Sequence, residues 1–252
     1  MFSIFTVSSE LDKIRLDNLL VHLKVVDTRN KASALIMAGY VFINDKEISK
    51  SGYITRAGSV LKIKKRKTWV SRGGIKLDQA LKDLELKVEN LDCLDIGCST
   101  GGFSQVLLAR GAKSVLGIDV GYGQLDYKLR NNKRFRIFER TNARFLKLNE
   151  KENFDIITAD LSFISLKKVI PQNLIYLKKN GILLVLIKPQ FEADKQLVGK
   201  GGIIKDSGIQ KRICDNIVAF FEDNQNLEYL SLIKSCILGQ KGNKEFFAIF
   251  RK

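Results

Sequence analysis

The feature that most constrains this chain is a rhythm in its last two thirds. Between residues 91 and 252 short apolar stretches recur: "CLDIG" (93–97), "SVLGIDV" (114–120), "RFRIFER" (134–140), "FDIITADLSF" (154–163) and "GILLVLIK" (181–188). Helical stretches fill the gaps, such as "FSQVLLAR" (103–110) and "LKKVIPQNLIYLKK" (166–179). Strands that are apolar almost throughout, with helices between them, bury both faces of a parallel sheet. The spacing predicts an α/β, Rossmann-like, doubly wound domain with ligands at the carboxyl ends of its strands. "LEYLSLIKSCIL" (227–238) and "EFFAIF" (245–250) predict a closing antiparallel pair joined by a short turn.

The first seventy residues have a different grammar. "RLDNLLVHL" (15–23) puts Leu16, Leu19, Leu20 and Leu23 on one helical face. "TRNKASALIMAG" (28–39) predicts a second helix, with Thr28 as its N-cap and Gly39 at its C-terminal end. "YVFIND" (40–45) and "SVLKIK" (59–64) read as strands. The expected division is a small α+β domain over residues 1–66, a linker over 67–76, and the α/β domain over 77–252.

Charge narrows the partner. The 252 residues carry a formal net charge of +16, and the first 70 hold 13 Lys+Arg against 6 Asp+Glu. A field of that sign favours a polyanion or an acidic membrane surface. The longest apolar runs are too short to span a bilayer, and the N-terminus lacks a basic region ahead of an apolar one. No membrane insertion and no secretory leader are expected. Cys93, Cys98, Cys214 and Cys236 form no CxxC pair, and His22 is the sole histidine. No metal site is expected, and reduced thiols point to a cytoplasmic protein.

"LDIGCSTGGF" (94–103) follows the first strand of the α/β segment and opens a helix. Asp119 ends the next strand, placed to accept hydrogen bonds from both ribose hydroxyls of a nucleoside. A nicotinamide dinucleotide and S-adenosylmethionine share this geometry. A dinucleotide loop needs G-x-G-x-x-G, with a middle glycine under the pyrophosphate. Here the three positions are Gly97, Ser99 and Gly102. Asp95, at the strand end, would repel a pyrophosphate and suits the cationic amino-acid end of S-adenosylmethionine. The loop therefore favours that cofactor, with Thr100, Gly101, Phe103 and Val120 among its expected contacts.

Two resemblances extend the reading. "RLDNLL", "TRNKASALIMAGYVFIN" and "GSVLKI" resemble the small RNA-binding module named after ribosomal protein S-four. That resemblance implies that Arg15, Arg29, Asn30 and Lys31 face structured RNA. The basic run through Lys64, Lys65, Arg66 and Lys67 to Arg72 extends the same expected surface. Further on, "STGGF", "IDVGYGQL", "ERTNAR", "ADLSFISL", "KPQFE", "GKGGIIKD" and "GNKEFF" occur in order. With "SRGGIKL" they resemble the TlyA family, labelled haemolysin but similar to FtsJ-type ribose 2′-O-methyltransferases. The resemblance implies cytidine 2′-O-methylation of ribosomal RNA, with S-adenosylmethionine as donor and Asn142 near the adenine. Shorter members of that family modify the large subunit only, so large-subunit RNA is the expected substrate.

FtsJ-like enzymes use a Lys-Asp-Lys-Glu set. Carried onto matching motifs it implies Lys76, Asp160, Lys188 and Glu245. A ribose hydroxyl must lose its proton as it attacks the methyl. A lysine relays that proton near neutral pH only when burial or a second cation weakens its hold on it. Lys188 is the expected relay and Lys76 the second cation. Alternatively, the set only orients the hydroxyl. Lys133, Arg134, Arg136, Arg140, Arg144 and Lys147 crowd the third strand, for phosphate contact or as edge-strand protection.

At the joint, "WVSRGGIKLDQAL" (69–81), a stripe of Leu77, Ala80, Leu81 and Leu84 predicts a helix beginning at or near Lys76. Gly73 and Gly74 are expected to make a sharp chain reversal, and Lys76 to meet the positive end of the helix dipole. Two other functions remain open on sequence alone: a membrane-active cytolysin, and a nonenzymatic RNA-binding protein.

Overall fold

The computed structural model describes residues 2–64, 69–149, 152–239 and 241–252. The chain divides into two compact units, Met1–Thr68 and Trp69–Lys252.

In the first unit, β1 (Phe2–Thr6), α1 (Leu16–His22), α2 (Arg29–Met37), β2 (Val41–Ile43), β3 (Lys46–Glu47) and β4 (Val60–Lys64) follow in order. The strands make an antiparallel sheet in the order β1-β4-β2-β3. The leucines expected on one face of α1 are its core: Leu16, Leu19 and Leu20 are fully buried with Ala32 and Ile36 of α2. Thr28 caps α2 by accepting from Lys31 N at 3.3 Å, and Gly39 takes the left-handed conformation just beyond its end (φ +73°). β1 was not legible: "FSIFT" alternates weakly and pairs with a strand more than fifty residues away.

The second unit opens with α3 (Arg72–Asp83). Then come β5 (Asp92–Ile96), α4 (Gly102–Ala109), β6 (Ser114–Ile118), α5 (Tyr127–Arg130), β7 (Phe135–Phe138), β8 (Phe154–Ala159), β9 (Leu177–Ile187), α6 (Pro189–Glu192), α7 (Ser207–Gln225), β10 (Glu228–Lys234) and β11 (Phe246–Arg251). Seven strands form one sheet, in the order β10-β11-β9-β8-β5-β6-β7. β5 to β9 run parallel, while β11 lies antiparallel between β9 and β10. Separate apolar clusters cover the two faces, Leu94, Ile157 and Val185 facing one and Cys93, Ile156 and Leu184 the other. That alternation within apolar strands is what a doubly covered sheet requires.

Several expectations are corrected. α3 begins at Arg72, so Gly73 and Gly74 belong to its first turn and make no chain reversal. The second half of the expected linker is thus helical. Gly74 is required by contact: a Cβ there would meet Trp69 Cβ at 2.5 Å and Gly102 O at 3.1 Å. Lys76 accordingly lies in the second turn, away from the positive helix end. The helix expected over 166–179 is two 3₁₀ segments, Leu166–Lys168 and Pro171–Tyr176, followed directly by β9. Pro171 has no N–H to continue a helix, and the Asn173 amide donates to Val169 O and Ala143 O. The last two strands are joined by residues 235–245 rather than a short turn, and that connection carries a site residue.

Candidate active site

The loops leaving β5, β6, β8 and β9 meet at the carboxyl edge of the sheet. They frame two adjoining clefts. The first, about 510 Å³, is lined by Gly97, Ser99, Asp119, Val120, Asn142 and Asp160 among others. The second, about 690 Å³, is lined by Arg72, Lys76, Thr100, Lys188, Lys241 and Glu245 among others. Ser99, Ser162 and Phe163 line both, and a smaller pocket containing Gly97, Asp160 and Lys188 connects them.

The loop after β5 is built for close approach. Gly97 has φ +79°, and a Cβ on it would lie 2.7 Å from Asp160 O. Ser99, where a dinucleotide loop has glycine, also takes a left-handed φ of +49°. Such a conformation persists in a non-glycine residue only when its surroundings hold it. Here Ser99 N donates to Asp119 Oδ2 at 2.8 Å and its Oγ bonds Gln124 Oε1 at 3.2 Å. The other Asp119 oxygen accepts from Gly121 N at 2.7 Å. Each oxygen keeps acceptor capacity toward the first cleft. Asn142 turns its Oδ1 back onto Arg144 N at 3.1 Å, so its carbonyl oxygen caps the following turn.

Three of the expected cofactor contacts have packing roles, and of these Phe103 also lines the connecting pocket. Asp95 is fully buried and lines neither cleft; it accepts from Ser104 Oγ at 2.6 Å and Thr158 Oγ1 at 3.0 Å. Burial pushes its carboxyl up to about 7, against the lowering effect of those hydrogen bonds. Gly101 caps α4 with φ +91°, and its missing Cβ makes room for Leu129. Phe103 is 3% exposed and packs on Phe247. Gly102 reaches the connecting pocket, but its missing side chain also admits Ser71 and Gly74 N.

The four-residue set comes together as two ion pairs. Lys188 Nζ lies 2.6 Å from Asp160 Oδ1 and donates to Ser162 Oγ at 2.8 Å. Asp160 Oδ1 is buried and, despite that charge contact, accepts no aligned hydrogen bond. Lys76 Nζ lies 2.5 Å from Glu245 Oε2, both side chains being buried. The topology explains the meeting: Asp160 and Lys188 follow neighbouring strand ends, and Glu245 precedes β11, which runs back beside β9. Sequence reasoning missed Ser162, Phe163, Gln190, Lys241 and Asn243 in these clefts. Phe163 follows the strand-end acid Asp160 by three residues, and nothing in its apolar neighbours Leu161 and Ile164 marks it as exposed. It is 89% exposed with φ +64°.

The basic residues divide. Arg15 and Arg29 both pair with the buried Asp17, at 2.8 and 3.1 Å, and Arg15 chiefly holds that carboxyl down to about 2. Lys31 pairs with Asp27. Asn30 is exposed and Lys64 is exposed at the end of β4. Lys65, Arg66 and Lys67 lie outside the described residues. Along β7, Arg134 donates to Ala112 O and Leu108 O, and Arg136 pairs with Glu152. Arg140 stacks over Tyr122 and Arg144 over Phe145.

The family model for FtsJ-like methyltransferases matches residues 69–252, the whole of the second unit. This chain belongs to the FtsJ-like methyltransferase family. An S4 domain model matches residues 14–61, within the first unit. Hemolysin A of Brachyspira hyodysenteriae is 38% identical over 244 residues, spanning 94% of this chain and 99% of that protein. The 16S/23S rRNA (cytidine-2'-O)-methyltransferase TlyA of Mycobacterium tuberculosis is 38% identical over 244 residues, 95% of this chain and 90% of that protein. A solved hemolysin-named structure from Streptococcus thermophilus superposes with a TM-score of 0.70 at 38% identity, covering 96% of this chain and 89% of that one. The TlyA resemblance read from the motifs is therefore shown. It spans both units of this FtsJ-like methyltransferase.

Proposed function

We propose that this chain methylates the 2′-hydroxyl of a cytidine ribose in ribosomal RNA, with S-adenosylmethionine as donor. The observation that carries the reading is that the Lys188–Asp160 pair lines the junction of two clefts while the Lys76–Glu245 pair lines the second of them. One cleft has the fittings for a nucleoside: a strand-end carboxylate, Asp119, with acceptor capacity facing inward, and a glycine, Gly97, that leaves the floor bare. Gly97, Ser99, Asp119, Val120 and Asn142 would hold the donor, which when bound supplies a methyl group on a cationic sulfur.

The chain's own groups then act on the hydroxyl. Asp160 Oδ1 lies 2.6 Å from the Lys188 ammonium but accepts no aligned hydrogen bond, so it can still take one from a donor. A ribose hydroxyl is such a donor. Its hydrogen bond to Oδ1 turns an oxygen lone pair toward the connecting pocket, an orienting role. As the new carbon–oxygen bond forms and the methyl's carbon–sulfur bond breaks, the hydroxyl proton would pass to the carboxylate of the Asp160–Lys188 pair. Lys76 and Glu245 compensate each other, so they fix the wall of the substrate cleft without adding net charge.

The basic first unit supports ribosomal RNA as partner, and the M. tuberculosis relative is named for acting on both 16S and 23S RNA. The reading puts the protein in the cytoplasm. Its test is transfer of labelled methyl to unmodified small and large ribosomal subunits, followed by mapping. Label on a ribose 2′-oxygen supports it; label on a base, or none, contradicts it. The hemolysin names favour a second reading, membrane lysis. No helix among the described residues is long and apolar enough to cross a membrane. Asp160→Ala separates the two, since it removes methyl transfer and would leave a true cytolysin lytic.

A further inference from the structure

The charges lining the second cleft do not cancel. Five charged side chains line it: Arg72, Lys76, Lys188, Lys241 and Glu245. Lys76 is matched by Glu245, and Lys188 by Asp160. Arg72 and Lys241 have no carboxylate partner among the described residues. Both are exposed at the rim. Arg72 is anchored by one guanidinium nitrogen, which donates to Leu238 O, and the remaining donors of its fork stay free. Lys241 is carried by a braced loop. The buried Asn243 accepts from Ile204 N at 3.0 Å and donates to Gly202 O at 2.8 Å, tying the 199–206 and 238–245 segments together. A Cβ on Gly202 would lie 4.0 Å from Lys241 Nζ, so the ammonium stands over bare backbone.

We propose that Lys241 and Arg72 form a binding site for one phosphate of the RNA backbone next to the target nucleotide. The inference rests on the RNA-methyltransferase reading. The two catalytic pairs are neutral as pairs, so they give a phosphodiester little to hold. The two unmatched cations supply that hold on the same wall. Arg gives a forked pair of donors and Lys a mobile point charge, a combination suited to one phosphate whose orientation must be fixed. Seating the phosphate at the rim sets the depth to which the ribose reaches toward Asp160. The pair therefore acts on substrate hold and placement, not on the proton.

The test is binding of unmodified ribosomal RNA by the full chain across a salt series, together with methyl-transfer kinetics. The probes are wild type, Lys241→Ala, Lys241→Arg, Arg72→Ala and the exposed control Lys87→Ala. For Lys241→Ala the expected result is a salt slope shallower by about 0.7–0.9, the signature of one lost phosphate contact. A KM raised roughly 5–20-fold with kcat within about twofold should accompany it, about 1–2 kcal/mol of binding. Lys241→Arg should restore the slope, and titrated affinity for S-adenosylmethionine should not move. A slope and KM equal to those of Lys87→Ala would overturn the phosphate site. Wild-type protein that binds RNA but transfers no methyl would overturn the enzymatic reading alone, because the salt slope is read without turnover.

Discussion

Gly97 and Asp160 meet backbone to backbone: the Asp160 carbonyl oxygen occupies the space a Gly97 side chain would need, 2.7 Å from that Cβ. The loop that floors the donor cleft thus rests on the strand end that carries the acid. Cofactor placement and acid placement are one packing problem in this fold.

Gly97→Ala should therefore damage two functions at once. Its φ of +79° strains any side chain, and the added methyl must push Asp160. Expected are a stability loss of about 1–3 kcal/mol, weaker S-adenosylmethionine binding in titration calorimetry, and a lower kcat. Weaker binding with unchanged kcat would show that the two loops are independent.

Lys188→Met and Asp160→Asn should leave the donor cleft standing and remove proton handling. Turnover should fall by about 10²–10⁴-fold, with S-adenosylmethionine affinity within a few-fold of wild type. Single-turnover transfer to ribosomal RNA reads the first quantity and calorimetry the second.

Lys76 and Glu245 are a buried pair at 2.5 Å, so deleting one partner strands the other's charge. Lys76→Met should cost about 3–5 kcal/mol in denaturant unfolding. The double variant Lys76→Met/Glu245→Leu should recover most of that stability while remaining inactive. Recovery of activity along with stability would assign the pair a purely structural role.

Asp95 gives the second unit a pH dependence. Its carboxyl is held up to about 7 from an ordinary 3.8, chiefly by burial, so between these values the folded state binds a proton the unfolded state has released. Stability should then fall as pH rises from about 4 to about 7, with a slope approaching about 1.4 kcal/mol per pH unit, and level off above. Asp95→Asn should flatten that segment in thermal unfolding followed from pH 4 to pH 8. A wild-type profile that is flat there would place the carboxyl elsewhere.

Much of the architecture was legible because strand burial writes itself into composition. "CLDIG", "SVLGIDV" and "GILLVLIK" are apolar because both sheet faces are covered, and α1 reads from four leucines at helical spacing. What was not legible depended on partners distant in sequence. α3 starts four residues before the expected Lys76 because Gly73 and Gly74 let it press on α4, a contact with no local signature. The 166–179 stretch has helical periodicity, yet Pro171 and the Asn173 amide bonds turn it into 3₁₀ segments. Asp95 sits in the motif position of a ligand contact but spends its oxygens on Ser104 and Thr158. The four ionic site residues were found through motif resemblance, and only the fold supplies their pairing. Lys241 and Ser162 were missed because a lysine in a loop and a serine after a strand are ordinary until the clefts surround them.

The most direct test is nucleoside mass spectrometry of unmodified ribosomal RNA after incubation with S-adenosylmethionine and the purified protein. The account predicts 2′-O-methylcytidine with wild type and formation slower by about 10²–10⁴-fold with Lys188→Met. A methyl group on a nucleobase, or equal product from wild type and Lys188→Met, would contradict it.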